Sequence, residues 1–177
     1  ETLLAEATGK REAELLYEAA RASDIAGQKR RSVAYLERIL EEHDESGFVA
    51  EAAFRTGEHR FREGRYAEAA NAFRRAHEQG ADDDFRNNSL YMLGWSHFLD
   101  ERAMSAAGLF LRFLDRYHDK GSGFDAVSGK DAEQVADAQR VLSLIATYGR
   151  GPETLAGIVD THGERPYVAT LYEHLLR

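Results

Sequence analysis

The sequence predicts an all-α protein built as a stack of helix-turn-helix units, and three observations carry that expectation. First, residues 54–76, FRTGEHRFREGRYAEAANAFRRA, carry Gly57, Phe61, Gly64, Tyr66, Ala69, Phe73 and Ala76. Small residues stand where two helices would touch, and aromatics stand where they would fill the gap. Second, the pattern recurs at a shift of 37 residues, from Gly57 to Gly94 and back to Ala20. The same shift relates Gly64 to Gly27, Ala69 to Ser32 and Ala106, Phe73 to Leu36 and Phe110, and Ala76 to Ile39 and Phe113. A unit of this size cannot bury its apolar face alone, so stacked neighbours are required. Third, there are only 2 prolines, while Ala, Leu, Glu and Arg abound, a composition suited to helices.

Composition also excludes. A net charge of -8 argues against a general nucleic-acid binder, which needs a basic footprint, and against anionic membrane surfaces. No cysteine is present, so disulfides and thiolate metal sites are ruled out, while the compartment stays open. No apolar run approaches the ~20 residues that cross a bilayer. A chain of 177 residues buries roughly 70% of its unfolded surface and needs no staples.

Taken in order, residues 2–26 read as the first helix, with Leu3, Leu4, Leu15, Leu16, Ala19, Ala20 and Ile25 at helical intervals. Gly27 closes it, and the next helix covers about 28–43 with Val33, Leu36, Ile39 and Leu40 inward. Lys29, Arg30 and Arg31 read as a solvated face rather than a phosphate contact. Asp44 to Gly47 form the inter-repeat turn, with Ser46 as candidate N-cap of a helix over 48–63. Gly64 ends that helix, and its partner covers about 66–79. Asp82, Asp83 and Asp84 favour the positive end of the following helix; EF-hand spacing is missing, so they are not read as a cation site. The third pair runs over about 86–119, with Glu101 in place of the turn glycine, which predicts a looser or differently wound turn. Lys120 to Lys130, KGSGFDAVSGK, reads as a loop; without a preceding strand it is no phosphate loop. A divergent helix pair follows over about 130–162, with Val135, Ala138, Val141, Leu142 and Ile145 inward. A last apolar helix over 166–177 bears Leu171, Leu175 and Leu176. The repeats are placed at 13–46, 50–83 and 87–120, within a single solenoid over 1–177. The chain opens at Glu1 without an initiator Met and closes on an apolar helix, so it is expected to be a fragment of a longer protein.

The spacing resembles the tetratricopeptide repeat (TPR) superfamily over about residues 13–119. The stretches 50–73, 90–98 (LYMLGWSHF) and 163–175 (GERPYVATLYEHL) further resemble large periplasmic TPR proteins of the Tol/TonB cell-envelope machinery. That resemblance implies a right-handed α-solenoid of antiparallel helix pairs, not an enzyme, serving as an adaptor in the periplasm, with the cytoplasm as the alternative. In the family, the first helix of each pair lines a concave groove. Carried over by position, the groove residues are Tyr17, Arg21, Phe54, Glu58, Arg62, Asn88, Tyr91 and Trp95. The Lys and Asn that clamp a terminal carboxylate in chaperone-tail-binding TPRs have no counterpart here.

Exposed aromatics among arginines and acids suit a docked peptide or helix. For Tyr91 and Trp95 the alternative is packing against adjacent repeats, which is also the reading for Phe61 and Phe98. Seven histidines are scattered without HExxH spacing, so no metal and no cofactor is expected, and no catalytic residue is assigned. Two functions remain: a scaffold binding a protein or peptide in the groove, or self-association into a homo-oligomer through Leu171, Leu175 and Leu176. Burial of those leucines within the chain would favour the groove.

Overall fold

The computed structural model describes the backbone of residues 2–118 and 122–175, and side chains over 8–118 and 122–173. Among the described residues every long element is a helix: α1 (Thr2–Ile25), α2 (Lys29–Glu42), α3 (Val49–Arg62), α4 (Tyr66–Gln79), α5 (Asp83–Leu99), α6 (Ala103–Asp115), α7 (Gly129–Tyr148), α8 (Pro152–His162) and α9 (Val168–Leu175). The side chains of Leu3, Leu4, His174, Leu175 and Leu176, and the loop residues Lys120 and Gly121, lie outside the described residues.

Local chemistry explains how α5 and α3 begin. Asp82 Oδ1 accepts the Phe85 N–H at 2.7 Å, an N-cap bond that starts α5 at Asp83 rather than at 86 and leaves Asp83 and Asp84 in the first turn. Ser46 does not cap α3. Its Oγ accepts the Phe48 N–H at 3.2 Å, fixing the turn, and the helix begins after Phe48 without a side-chain cap.

The turns within the three pairs are copies of one another. Gly27 N–H donates to Asp24 O and Gln28 N–H to Ser23 O, at 3.0 and 2.8 Å. Gly64 and Arg65 do the same with Phe61 and Arg60, at 3.0 and 2.9 Å, and Glu101 and Arg102 with Phe98 and His97, at 3.2 and 2.9 Å. This is the Schellman pattern, which needs one left-handed residue. Gly27 and Gly64 supply it at φ 72° and 75°, and Glu101 at φ 59°. The looser turn expected at Glu101 is therefore corrected. The other bonds of the motif hold the glutamate in a conformation that costs an L-residue about 1 kcal/mol.

The chain divides into two compact units, Glu1–Ser89 and Leu90–Arg177. In the first, α1 packs on α2, α2 on α3 and α3 on α4. Leu16, Ala20, Leu36, Ile39, Val49 and Ala52 form one buried cluster. Further along, Gly57 lies against the Phe73 ring so closely that a Cβ would come within 2.8 Å of it. In the second unit Gly94 meets Phe110 in the same way, at 3.1 Å. The internal copies thus trade size: Ala20 goes with Leu36, and glycine goes with phenylalanine.

In the second unit α7 is the hub, packing on α6, α8 and α9. Its Val135, Ala138, Val141, Leu142 and Ile145 are buried, as their spacing predicts. Phe124 and Val127, from the loop before α7, pack on the same core. Leu171 of α9 is also buried there, at 1% exposure. It offers no surface to a second copy, so its assignment to a self-association face is withdrawn.

Candidate functional site

The residues carried over from the repeat pattern fall on α1, α3 and α5, and the structure sorts them into exposed, half-buried and buried groups. On α1, Tyr17 is half-buried. Its ring stacks on Phe48 with centroids 5.1 Å apart, and its hydroxyl donates to Glu51 Oε1 at 3.2 Å. Glu51 is also paired with Arg55 at 2.9 Å, an i,i+4 partner on α3. Burial, chiefly, lifts the Tyr17 phenol above its ordinary pKa, so it remains a donor throughout the neutral range. One turn along, Arg21 is exposed and pairs with Glu18 at 3.3 Å.

On α3, Phe54 is half-buried between Phe73 and Phe85, at centroid distances of 5.3 and 5.4 Å. Glu58 and Arg62 form a loose i,i+4 pair at 3.9 Å, with the arginine 55% exposed. Asn88 of α5 is half-buried. The first unit therefore presents aromatic edges beside charges neutralised within their own helices. Such exposed pairs contribute little to stability and can exchange partners with a ligand.

Tyr91 and Trp95 behave differently. Tyr91 is buried, with its ring against Trp95, Phe110 and Phe113 and its hydroxyl donating to Asp137 Oδ2 at 3.2 Å. Burial again raises its pKa. Trp95 is half-buried among Tyr91, Phe98 and Phe110. Of the two readings left open by the sequence, packing describes Tyr91, while Trp95 keeps one side toward solvent. Phe61 is half-buried with its edge on Tyr66 at 5.3 Å.

Pattern reasoning missed two groups. Asp137 comes from outside the repeats, and nothing in its local sequence marks it as the partner of Tyr91. His59 of α3 is 4% exposed and meets Asp24 of α1 at 3.2 Å. This contact joins α1 to α3, and 35 residues separate its members (59 − 24). No helix of the described residues is long and apolar enough to cross a membrane. No protein-family model matches the chain, and no curated protein matches it significantly.

Proposed function

We propose that the chain is a protein-interaction scaffold of the TPR type, with the right-handed winding of antiparallel helix pairs that this implies, and that first-helix residues bind a peptide or helix of a partner. The observation that carries the reading is the turn geometry, identical in hydrogen-bond pattern at Gly27, Gly64 and Glu101. The three turns recur at one spacing of 37 residues, which supports a repeat array, and arrays of this kind work through exposed side chains on a constant frame. Within the first unit the docking residues are Tyr17, Phe54, Glu58, Asn88, Arg21 and Arg62, with the two arginines reading acidic side chains of the ligand. The partner belongs to the cell envelope and the scaffold to the periplasm, on the resemblance of residues 50–73, 90–98 and 163–175.

The reading is tested by selecting peptides from a random displayed library against the full chain and measuring their affinity. Arg21→Glu and Arg62→Glu lie on exposed positions, so both variants keep the helical circular dichroism. Each weakens a selected acidic peptide about tenfold. Selection that yields no saturable ligand, or ligands indifferent to both substitutions, would remove the groove from consideration.

A further inference from the structure

We infer a binding site for a divalent transition-metal ion, zinc being the best fit, formed by Glu12 of α1 with Glu42 and His43 at the end of α2. One ligand atom from each of the three residues lies within 4.8 Å of the other two. The set is one imidazole nitrogen and two carboxylates, which suits zinc and its neighbours better than calcium or magnesium. Ligand atoms on one tetrahedral ion lie roughly 3.3 Å apart, so the three side chains must draw closer to close on an ion.

Acidic clusters on helix surfaces are common, and the histidine sets this one apart. His43 is 12% exposed, and its Nε2 is shut off from solvent without any hydrogen-bond partner. The nearest carboxylate atom, Glu12 Oε2, stands 3.8 Å away, too far for a hydrogen bond. A buried ring nitrogen without a partner is costly in a folded protein, and a metal ion satisfies it.

One further feature favours a cation at this point. His43 is the C-cap of α2, its backbone N–H donating to Ile39 O, so the negative end of that helix faces the site. Arg38 orients the carboxylates, and an entering ion must share them with its charge: its Nη2 lies 3.2 Å from Glu12 Oε1 and 2.9 Å from Glu42 Oε2, and its Nε 3.2 Å from Glu42 Oε1. Glu12 Oε2, the oxygen nearest His43, is left outside that set. Each Glu42 oxygen keeps a second lone pair for a metal. An outer partner orienting carboxylate ligands is a regular part of metal sites. The sequence contains no sign of this arrangement, because Glu12 and His43 are 31 residues apart (43 − 12) and meet only when α1 lies along α2.

The ion would tie α1 to α2 and stiffen the start of the chain. Zinc chloride is titrated into the full chain by calorimetry at neutral pH, with the melting temperature followed in parallel. The expected result is saturable one-to-one binding and a rise in melting temperature, with affinity reduced at least tenfold by His43→Ala and by Glu42→Gln. Glu42 is exposed, so the second variant reports on the site even where the first disturbs the end of α2. Binding that is not saturable, or that survives both substitutions unchanged, would overturn the assignment.

Discussion

The two units bury their apolar surface by different rules. In residues 1–89 each helix packs chiefly on its neighbour in sequence, α1 on α2, α2 on α3 and α3 on α4. In residues 90–177 a single helix, α7, is shared by α6, α8 and α9, and α6 also touches α8. The first arrangement follows from the 37-residue period, since a repeat can rely only on the repeats beside it. The second unit still holds the Gly94 and Phe110 copy of the pattern, and after α6, where the period stops, a hub replaces the ladder. A ladder distributes stability in local steps that open separately, whereas a hub makes many elements depend on one. Surface side chains on a ladder can therefore vary without disturbing distant contacts, which is what a binding face requires.

The largest expected effect sets this difference against itself with one substitution in each unit. Leu36 and Leu142 are both fully buried, and truncation of either to alanine costs about 2–5 kcal/mol. Leu142→Ala, in the hub, is expected to lower hydrogen-exchange protection across α6, α7, α8 and α9 together. Leu36→Ala is expected to lower it in α1 and α2 strongly and in α4 little. Uniform loss throughout residues 8–89 in the second variant would break the distinction, because the ladder would then be as cooperative as the hub. Trp95, the single tryptophan, follows the second unit by fluorescence in the same samples.

A smaller effect tests whether the internal copies share one packing rule. An alanine Cβ at Gly57 would meet the Phe73 ring at 2.8–3.0 Å, and at Gly94 the Phe110 ring at 3.1–3.3 Å. Gly57→Ala is therefore expected to destabilise by roughly 1–3 kcal/mol and Gly94→Ala by less, measured by urea denaturation. Adding Phe73→Leu to Gly57→Ala recreates the Ala20 and Leu36 combination of the first repeat. The double variant should be more stable than the sum of the two single losses allows. Strict additivity would mean that size matching at this position is a coincidence.

The second unit is fastened by a bond to α6 that ought to be sensitive to alkali. The Tyr167 hydroxyl lies 2.9 Å from Leu111 O and 2.6 Å from Asp115 Oδ1. Burial, then the hydrogen bond and charge of Asp115, push its pKa far above that of a free phenol. The folded chain thus keeps a proton that the unfolded chain releases near pH 10. Stability from this group is complete below that value and declines as pH rises through it. Tyr167→Phe should cost about 1–2 kcal/mol at neutral pH and flatten the fall in stability of the second unit between pH 9.5 and 11, ~1 unit around the phenol value. An unchanged alkaline slope in the variant would assign the sensitivity to Tyr91 of the same unit, whose pKa is shifted in the same direction.

Legibility follows the same division. The helices of the repeats, their buried stripes and the turns at Gly27 and Gly64 could be read because each depends on residues within one period. Leu142 and Ile145 were legible from helical spacing alone. What could not be read depends on pairs far apart in the chain. The burial of Leu171 reflects α9 packing on α7, a contact no local pattern encodes. The Tyr91 hydroxyl is bound by Asp137, 46 residues on, so an aromatic predicted for a binding wall sits in a core. Arg21 and Arg62 remained on the surface as expected, because exposure on a helix face is set by the face and not by a distant partner.

The smallest effect concerns Glu101, where pattern and structure part company over a single residue. A glutamate at φ 59° occupies the place that glycine fills at 27 and 64, yet the two turn hydrogen bonds are kept. The strain is thus borne by the backbone of one residue while the motif around it stays intact. Glu101→Gly should remove that strain and gain about 1 kcal/mol, less a few tenths for the freer unfolded chain. Gly64→Glu should lose a similar amount, since no atom blocks a Cβ there and conformation alone opposes it. Equal and opposite shifts in the urea midpoint would make the three turns energetically interchangeable. If Glu101→Gly instead destabilised the chain, the glutamate side chain would be contributing a contact that outweighs its backbone cost. The third turn would then owe its shape to its own residues rather than to the repeat.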